Sequence, residues 1–177
     1  METLKVLPVE IQNKWMAELI KAGDHPVGVF RLVTIRPTQP NSFEGQRVIV
    51  RVIDEDGQAM PDVKVAFSYS TADQYILTPD FTWSPPSPRR AFLVSTGANG
   101  EIDQVQGSKV KEGEPGGITV YLLTPEYASD VVAGAGMLAN HTGLHLTFQL
   151  KRVGVKTLAE RLTSLEDRLT RLEAKHS

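Results

Sequence analysis

Residues 143–151 read Gly143-Leu-His-Leu-Thr-Phe-Gln-Leu-Lys151. Leu144, Leu146, Phe148 and Leu150 alternate with His145, Thr147, Gln149 and Lys151, a period of two. A helix would scatter these four apolar residues around its axis, whereas an extended strand sets them all on one face. A strand with one apolar and one polar face belongs to a sheet that is covered on one side.

The same chemistry recurs upstream. Val27-Gly-Val-Phe-Arg-Leu-Val-Thr-Ile-Arg36 is rich in β-formers, and Pro37 and Pro40, with Asn41 and Gly45, close it in a turn. Arg47-Val-Ile-Val-Arg-Val-Ile-Asp54 follows, ended by Asp56-Gly57 and Pro61. Val63, Val65, Phe67 and Tyr69 share one face of the next strand. Ala91-Phe-Leu-Val-Ser95, a turn at Asn99-Gly100, a short strand at Ile102 and Gly117-Ile-Thr-Val-Tyr-Leu-Leu123 complete the series. Seven or eight short strands between turn signals predict a mainly β chain, an antiparallel β-sandwich. Residues 125–137 read as a long loop, in which Gly134-Ala-Gly136 marks mobility or close packing.

Helical periodicity flanks the strands. Pro8 to Ala22 reads as an amphipathic helix, with Pro8 in the first turn and Ile11, Trp15 and Leu19 on one stripe, stopped by Gly23. At the other end, Val155, Leu158, Leu162, Leu165, Leu169 and Leu172 are spaced by alternating threes and fours, the seam of a coiled coil. With Leu162 and Leu169 at a, Arg161 and Arg168 fall at g and Glu166 and Glu173 at e. Parallel helices then pair Arg with Glu, whereas antiparallel helices would set like charges together. The repeated Arg-Leu-x-x-Leu-Glu resembles the trimerisation motif of short coiled coils, in which the g Arg bonds a partner's e Glu and covers the seam with its methylenes. The expected organisation is an N-terminal helical segment (1–24), a β-sandwich (25–153) and a parallel trimerisation helix (154–177). The short Val153-Gly154 join makes the stalk a clamp on the heads.

Asp54-Glu-Asp-Gly-Gln-Ala-Met-Pro-Asp-Val-Lys-Val-Ala-Phe67 and Ser95-Thr-Gly-Ala-Asn-Gly-Glu-Ile102 resemble the hairpin pattern of bacterial Ig-like and transthyretin-like domains, departing from it at Gly97 and in the spacing from Gly57 to Pro61. Gly28-Val-Phe-Arg-Leu32, Arg51 to Gly57, and Ser129 to Met137 through Gln149 are similar to β-sandwich modules appended to bacterial and phage cell-wall hydrolases. The resemblance implies an Ig-like fold and a surface glycan as ligand, with no residue roles carried over.

Composition narrows the function. A net charge of −2 over 177 residues, without a compact basic patch, gives no basis for nucleic-acid binding. The absence of cysteine excludes disulfides and thiolate chemistry. No apolar run reads as a signal peptide or a membrane span, so synthesis in a cytoplasm is expected, with a virion or cell surface as the later destination. No nucleophile elbow, phosphate loop or His-Glu-x-x-His occurs, no cofactor is implied, and the chain is not expected to be an enzyme. Asp54, Glu55 and Asp56 are adjacent carboxylates that could hold calcium, but in a hairpin turn such groups ordinarily cap backbone amides.

Two constellations remain. His141 and His145, with Asp130 or Glu126 as a third ligand, form a candidate metal set; the alternative is surface histidines or a ring around a threefold axis. Residues 71–90 form a connection longer than ordinary loops, carrying Tyr75, Asp80, Phe81, Trp83, Arg89 and Arg90 among prolines. Such rings can stack on sugar faces while the charged groups bond hydroxyls, or they can plug the sandwich edge or a neighbouring protomer. The expected function is a homotrimeric binding protein for carbohydrate or another repeated surface ligand. The alternative is a structural virion protein, a capsid decoration or a tail component.

Overall fold

The computed structural model describes residues 4–40, 47–68, 91–105, 109–110, 113–114 and 116–154. Within them the chain is mainly β. One helix, α1 (Val9–Trp15), precedes β1 (Glu18–Ile20), β2 (Gly28–Pro37), β3 (Arg47–Ile53), β4 (Lys64–Ser68), β5 (Ala91–Ser95) and β6 (Glu101–Val105). There follow β7 (Lys109–Val110), β8 (Ile118–Leu122), β9 (Ala128–Ser129), β10 (Val131–Ala135), β11 (Met137–Leu138) and β12 (Leu144–Arg152). One five-stranded sheet runs β1-β10-β8-β4-β5 and the other β6-β3-β12-β2-β9, with β11 and β7 as a separate pair.

The strand that announces the fold, β12, lies at the centre of the second sheet, and Leu144, Leu146, Phe148 and Leu150 are fully buried. They share one core with Phe30, Leu32, Ile35, Val48, Val50 and Val52 of their own sheet and with Val65, Phe67, Ile118, Val120 and Leu122 of the other. The two sheets thus close on a common apolar layer, as in a β-sandwich.

The sheets are not purely antiparallel as expected. Strand β12 is antiparallel to β2 but parallel to β3, and β9 is parallel to β2. The reason is topological. Strands β2 and β3 run in opposite directions, so a late strand inserted between them must match one of the two. Its entry is tight as well: a side chain on Gly143 would run into the Arg47 carbonyl oxygen.

The pairing of β12 with β2 holds one irregularity. Phe148 faces Leu32 and Thr147 faces Thr34, so Val33 is an extra residue, a β-bulge. The alternation changes phase there, which is why even-numbered Phe30 and Leu32 but odd-numbered Ile35 enter the core.

The N-terminal segment also departs from its periodicity. The helix stops at Trp15, not at Gly23, and Met16 follows in a left-handed conformation (φ 49°). Its last carbonyls are taken by loop backbone: Gly113 N–H donates to Lys14 O and Gly116 N–H to Trp15 O. Leu19 and Ile20 then serve in β1, against Val132 and Val131 of β10. Ile11 and Trp15 keep their expected burial, each 1% exposed, and the indole N–H donates to Gly136 O at 3.1 Å. Leu7, Ile11, Trp15 and Ala17 thereby join the β core, with Leu4 and Leu19 packed against it. Residues 125–137 are also more ordered than a loop, since they contain β9 and β10 and the start of β11. The glycine run there is close packing, as Gly134 (φ 78°) lies against the Met16–Ala17 backbone.

Replacing Trp15 with Ala removes a buried indole and its hydrogen bond, at an expected cost of about 3–5 kcal/mol. Urea denaturation checks this; a loss below about 1 kcal/mol would mean that the helix rests on the head without belonging to its core.

Candidate functional site

The outer face of the second sheet follows from strand alternation. Where Leu146, Val50 and Ile35 point inward, the alternate residues point outward. The register sets them in rows. Arg36, His145, Ile49 and Asp103 form one row across β2, β12, β3 and β6. Thr34, Thr147, Arg51 and Glu101 form the next. Adjacent strands place such neighbours about 5 Å apart.

Thr147 is 7% and Ile49 8% exposed, while Arg36, Arg51 and Asp103 around them are exposed. Two cross-strand ion pairs line one side: Arg47 with Asp103, and Arg51 Nε with Glu101 Oε1 at 3.9 Å. The Arg51–Glu101 pair is the more exposed of the two, and such pairs add little stability, so its polar atoms can be traded to a ligand at small cost. Donors and acceptors stand side by side, with Thr147 on the adjoining strand beside Arg51.

One end of the face is closed by the turn after β3. Gln149 Nε2 donates to the Asp54 and Glu55 carbonyls, and Arg152 Nη1 pairs with Glu55 Oε1 at 2.9 Å. The Tyr127 hydroxyl hydrogen-bonds the Arg152 guanidinium, and with Glu55 beside it this raises the arginine pKa above its usual value. Asp54 Oδ1 accepts the N–H groups of Asp56 and Gln58, so this carboxylate caps its turn. Asp54 thus caps backbone amides and Glu55 forms an ion pair.

Asp130 is fully buried at the crossing from β9 to β10. Its Oδ1 accepts from Ala22 N–H at 3.0 Å and from Arg31 Nη1 at 2.9 Å, and its Oδ2 accepts from Leu32 N–H at 3.0 Å. Arg31 Nη1 also donates to Ala22 O, and its Nη2 donates to Asp24. Both oxygens are committed to protein donors, so Asp130 is a structural bracket and not the third metal ligand expected beside the histidines.

The histidines themselves lie elsewhere. His145 faces Arg36 across the strands, whereas Asp130 N–H bonds Phe30 O, roughly 17 Å away along β2. His141 is a turn residue with φ 55°, its N–H donating to Leu138 O. Glu126 is exposed in a separate turn. Among the described residues, no three His, Cys, Asp or Glu side chains gather as a metal site would need. Tyr75, Asp80, Phe81, Trp83, Arg89 and Arg90 lie outside the described residues, as do the seam residues Leu158 to Glu173.

Sequence reasoning therefore missed Arg36, Thr34, Arg51 and Glu101 as neighbours of His145 and Thr147. The spacing of Arg47 and Arg51 shows that they share a strand face. The bulge at Val33 and the parallel pairing with β3, which complete the rows, leave no mark in the sequence.

Asp130→Asn keeps the shape but removes the charge facing Arg31 and presents donors to donors. Breaking a buried pair in this way is expected to cost about 3–5 kcal/mol in chemical denaturation. A cost under about 1 kcal/mol would show that the bracket is dispensable. Comparison of the chain with protein-family models, with curated proteins and with solved structures finds no match.

Proposed function

We propose that the chain is a non-enzymatic, homotrimeric binding protein whose Ig-like β-sandwich heads hold carbohydrate or another repeated surface ligand. The observation that carries this reading is the polar outer face of the second sheet. There Thr34, Thr147 and His145 lie between Arg36 on one side and the Arg51–Glu101 pair on the other. Alternating donors and acceptors on rigid strands suit vicinal hydroxyls, which are donor and acceptor at once. A single shallow face of this kind binds weakly. Three on a parallel stalk gain avidity, on the order of 10²–10⁴, against a ligand that repeats. The rings of residues 71–90, Trp83 above all, are the second candidate contact.

A glycan array with the whole protein tests this. Thr147→Val and Arg51→Ala are expected to weaken binding at least tenfold without unfolding the head, since one is near-isosteric and the other exposed. Trp83→Ala reports on the long segment separately, and Leu162→Asp with Leu169→Asp removes avidity. Absence of glycan binding, together with co-purification on virus particles, would overturn the reading in favour of a structural virion protein.

A further inference from the structure

We infer that the ligand of the second sheet's outer face carries a negative charge, as a carboxylate or phosphate on the saccharide, and that Arg36 is its counter-ion. This rests on the glycan-binding reading above and names the class of glycan.

Charge on this face is unevenly balanced. Among the described residues Arg31, Arg47, Arg51 and Arg152 each pair with a carboxylate, whereas exposed Arg36 pairs with none. The register explains the difference. On the β3 side, Glu101 lies directly opposite Arg51, and Asp103, opposite Ile49, is one row from Arg47. On the β2 side, Arg36 has His145 across the strands and Thr34 two residues along, itself opposite Thr147. None of these three side chains is an anion at neutral pH. An anion arriving there meets a guanidinium and hydroxyl donors, with no carboxylate among these neighbours to compete for them. The approach is open as well: β9 runs beside Val29 and Phe30, but among the described strands none flanks β2 on that side at Arg36.

Arg51 supplies a second arm. It stands opposite Thr147 on the other flank of β12, and strand spacing sets its Cα roughly 12 Å from that of Arg36. Two side chains of arginine length span that gap, so both guanidinium groups can approach an anion seated over Thr147. The Arg51–Glu101 pair is long, at 3.9 Å, and yields readily to a better partner. Carboxylate and phosphate suit such a site because the planar donors of a guanidinium match two of their oxygens at once. A neutral sugar would leave the Arg36 charge unanswered.

The test sets acidic glycans beside their neutral counterparts on one array, the uronates reduced to alcohols and the phosphates removed enzymatically. The whole wild-type protein is expected to prefer the acidic forms at least about tenfold. That preference should shrink as NaCl rises from about 0.05 to about 0.5 M, because the charges are exposed. The uronate and phosphate arms show which anion is held. Arg36 is exposed, so Arg36→Gln should leave the head folded by circular dichroism and bind both forms alike, at the strength of the neutral one. Should Arg36→Gln fail to fold, Arg36→Met takes its place with the same outcomes, and the salt titration of the wild-type protein needs no variant. Equal binding of acidic and neutral forms, or an acidic preference that survives loss of Arg36, overturns the inference but leaves glycan binding standing. Absence of binding to every glycan overturns both.

Discussion

A buried carboxylate fixes the offset between the two sheets that the shared apolar layer holds together. Asp130 stands where the chain leaves β9 in one sheet and enters β10 in the other, and its oxygens hold Leu32 of the second sheet and Ala22 just beyond β1 of the first. An ionised carboxylate in an apolar layer is tolerated only when its lone pairs are met, and Arg31 with two backbone amides meets them. Apolar packing is non-directional and would accept several offsets between the sheets. The carboxylate accepts only the one that brings its three donors together. The outer face depends on this, since Arg31 reaches Asp130 from the same strand that carries Thr34 and Arg36.

Much of the architecture could be read directly from the residues. The alternation Leu144, Leu146, Phe148, Leu150 identifies β12 and its buried face without ambiguity, and the Asp54 turn behaves as an Asp-Gly hairpin turn should. What could not be read depends on distant partners. The helical stripe through Leu19 is genuine as a pattern, but the carbonyls of Lys14 and Trp15 find donors in residues 113 and 116, and the segment gains more by joining β10. Short strands such as β9 carry no period at all, because two residues cannot display one.

The site shows the same division. His145 and Thr147 are visible as the polar side of a strand, whereas their neighbours belong to strands roughly a hundred residues upstream whose direction and register only the assembled sheet decides. Asp130 was conspicuous as a carboxylate near histidines in sequence. Its actual role depends on the backbone amides of Ala22 and Leu32, which no side-chain pattern displays.

The extra residue at Val33 carries a further consequence. It divides β2 into two segments of opposite phase, so that the strand has, in effect, a reading frame. Deleting that one residue would restore regular pairing and leave both faces as they are, with Thr34 and Arg36 still opposite Thr147 and His145 and Ile35 still opposite Leu146. The bulge is therefore the place in β2 where the strand can lose a residue without exchanging its faces, so it stores one residue of slack in an otherwise fixed register.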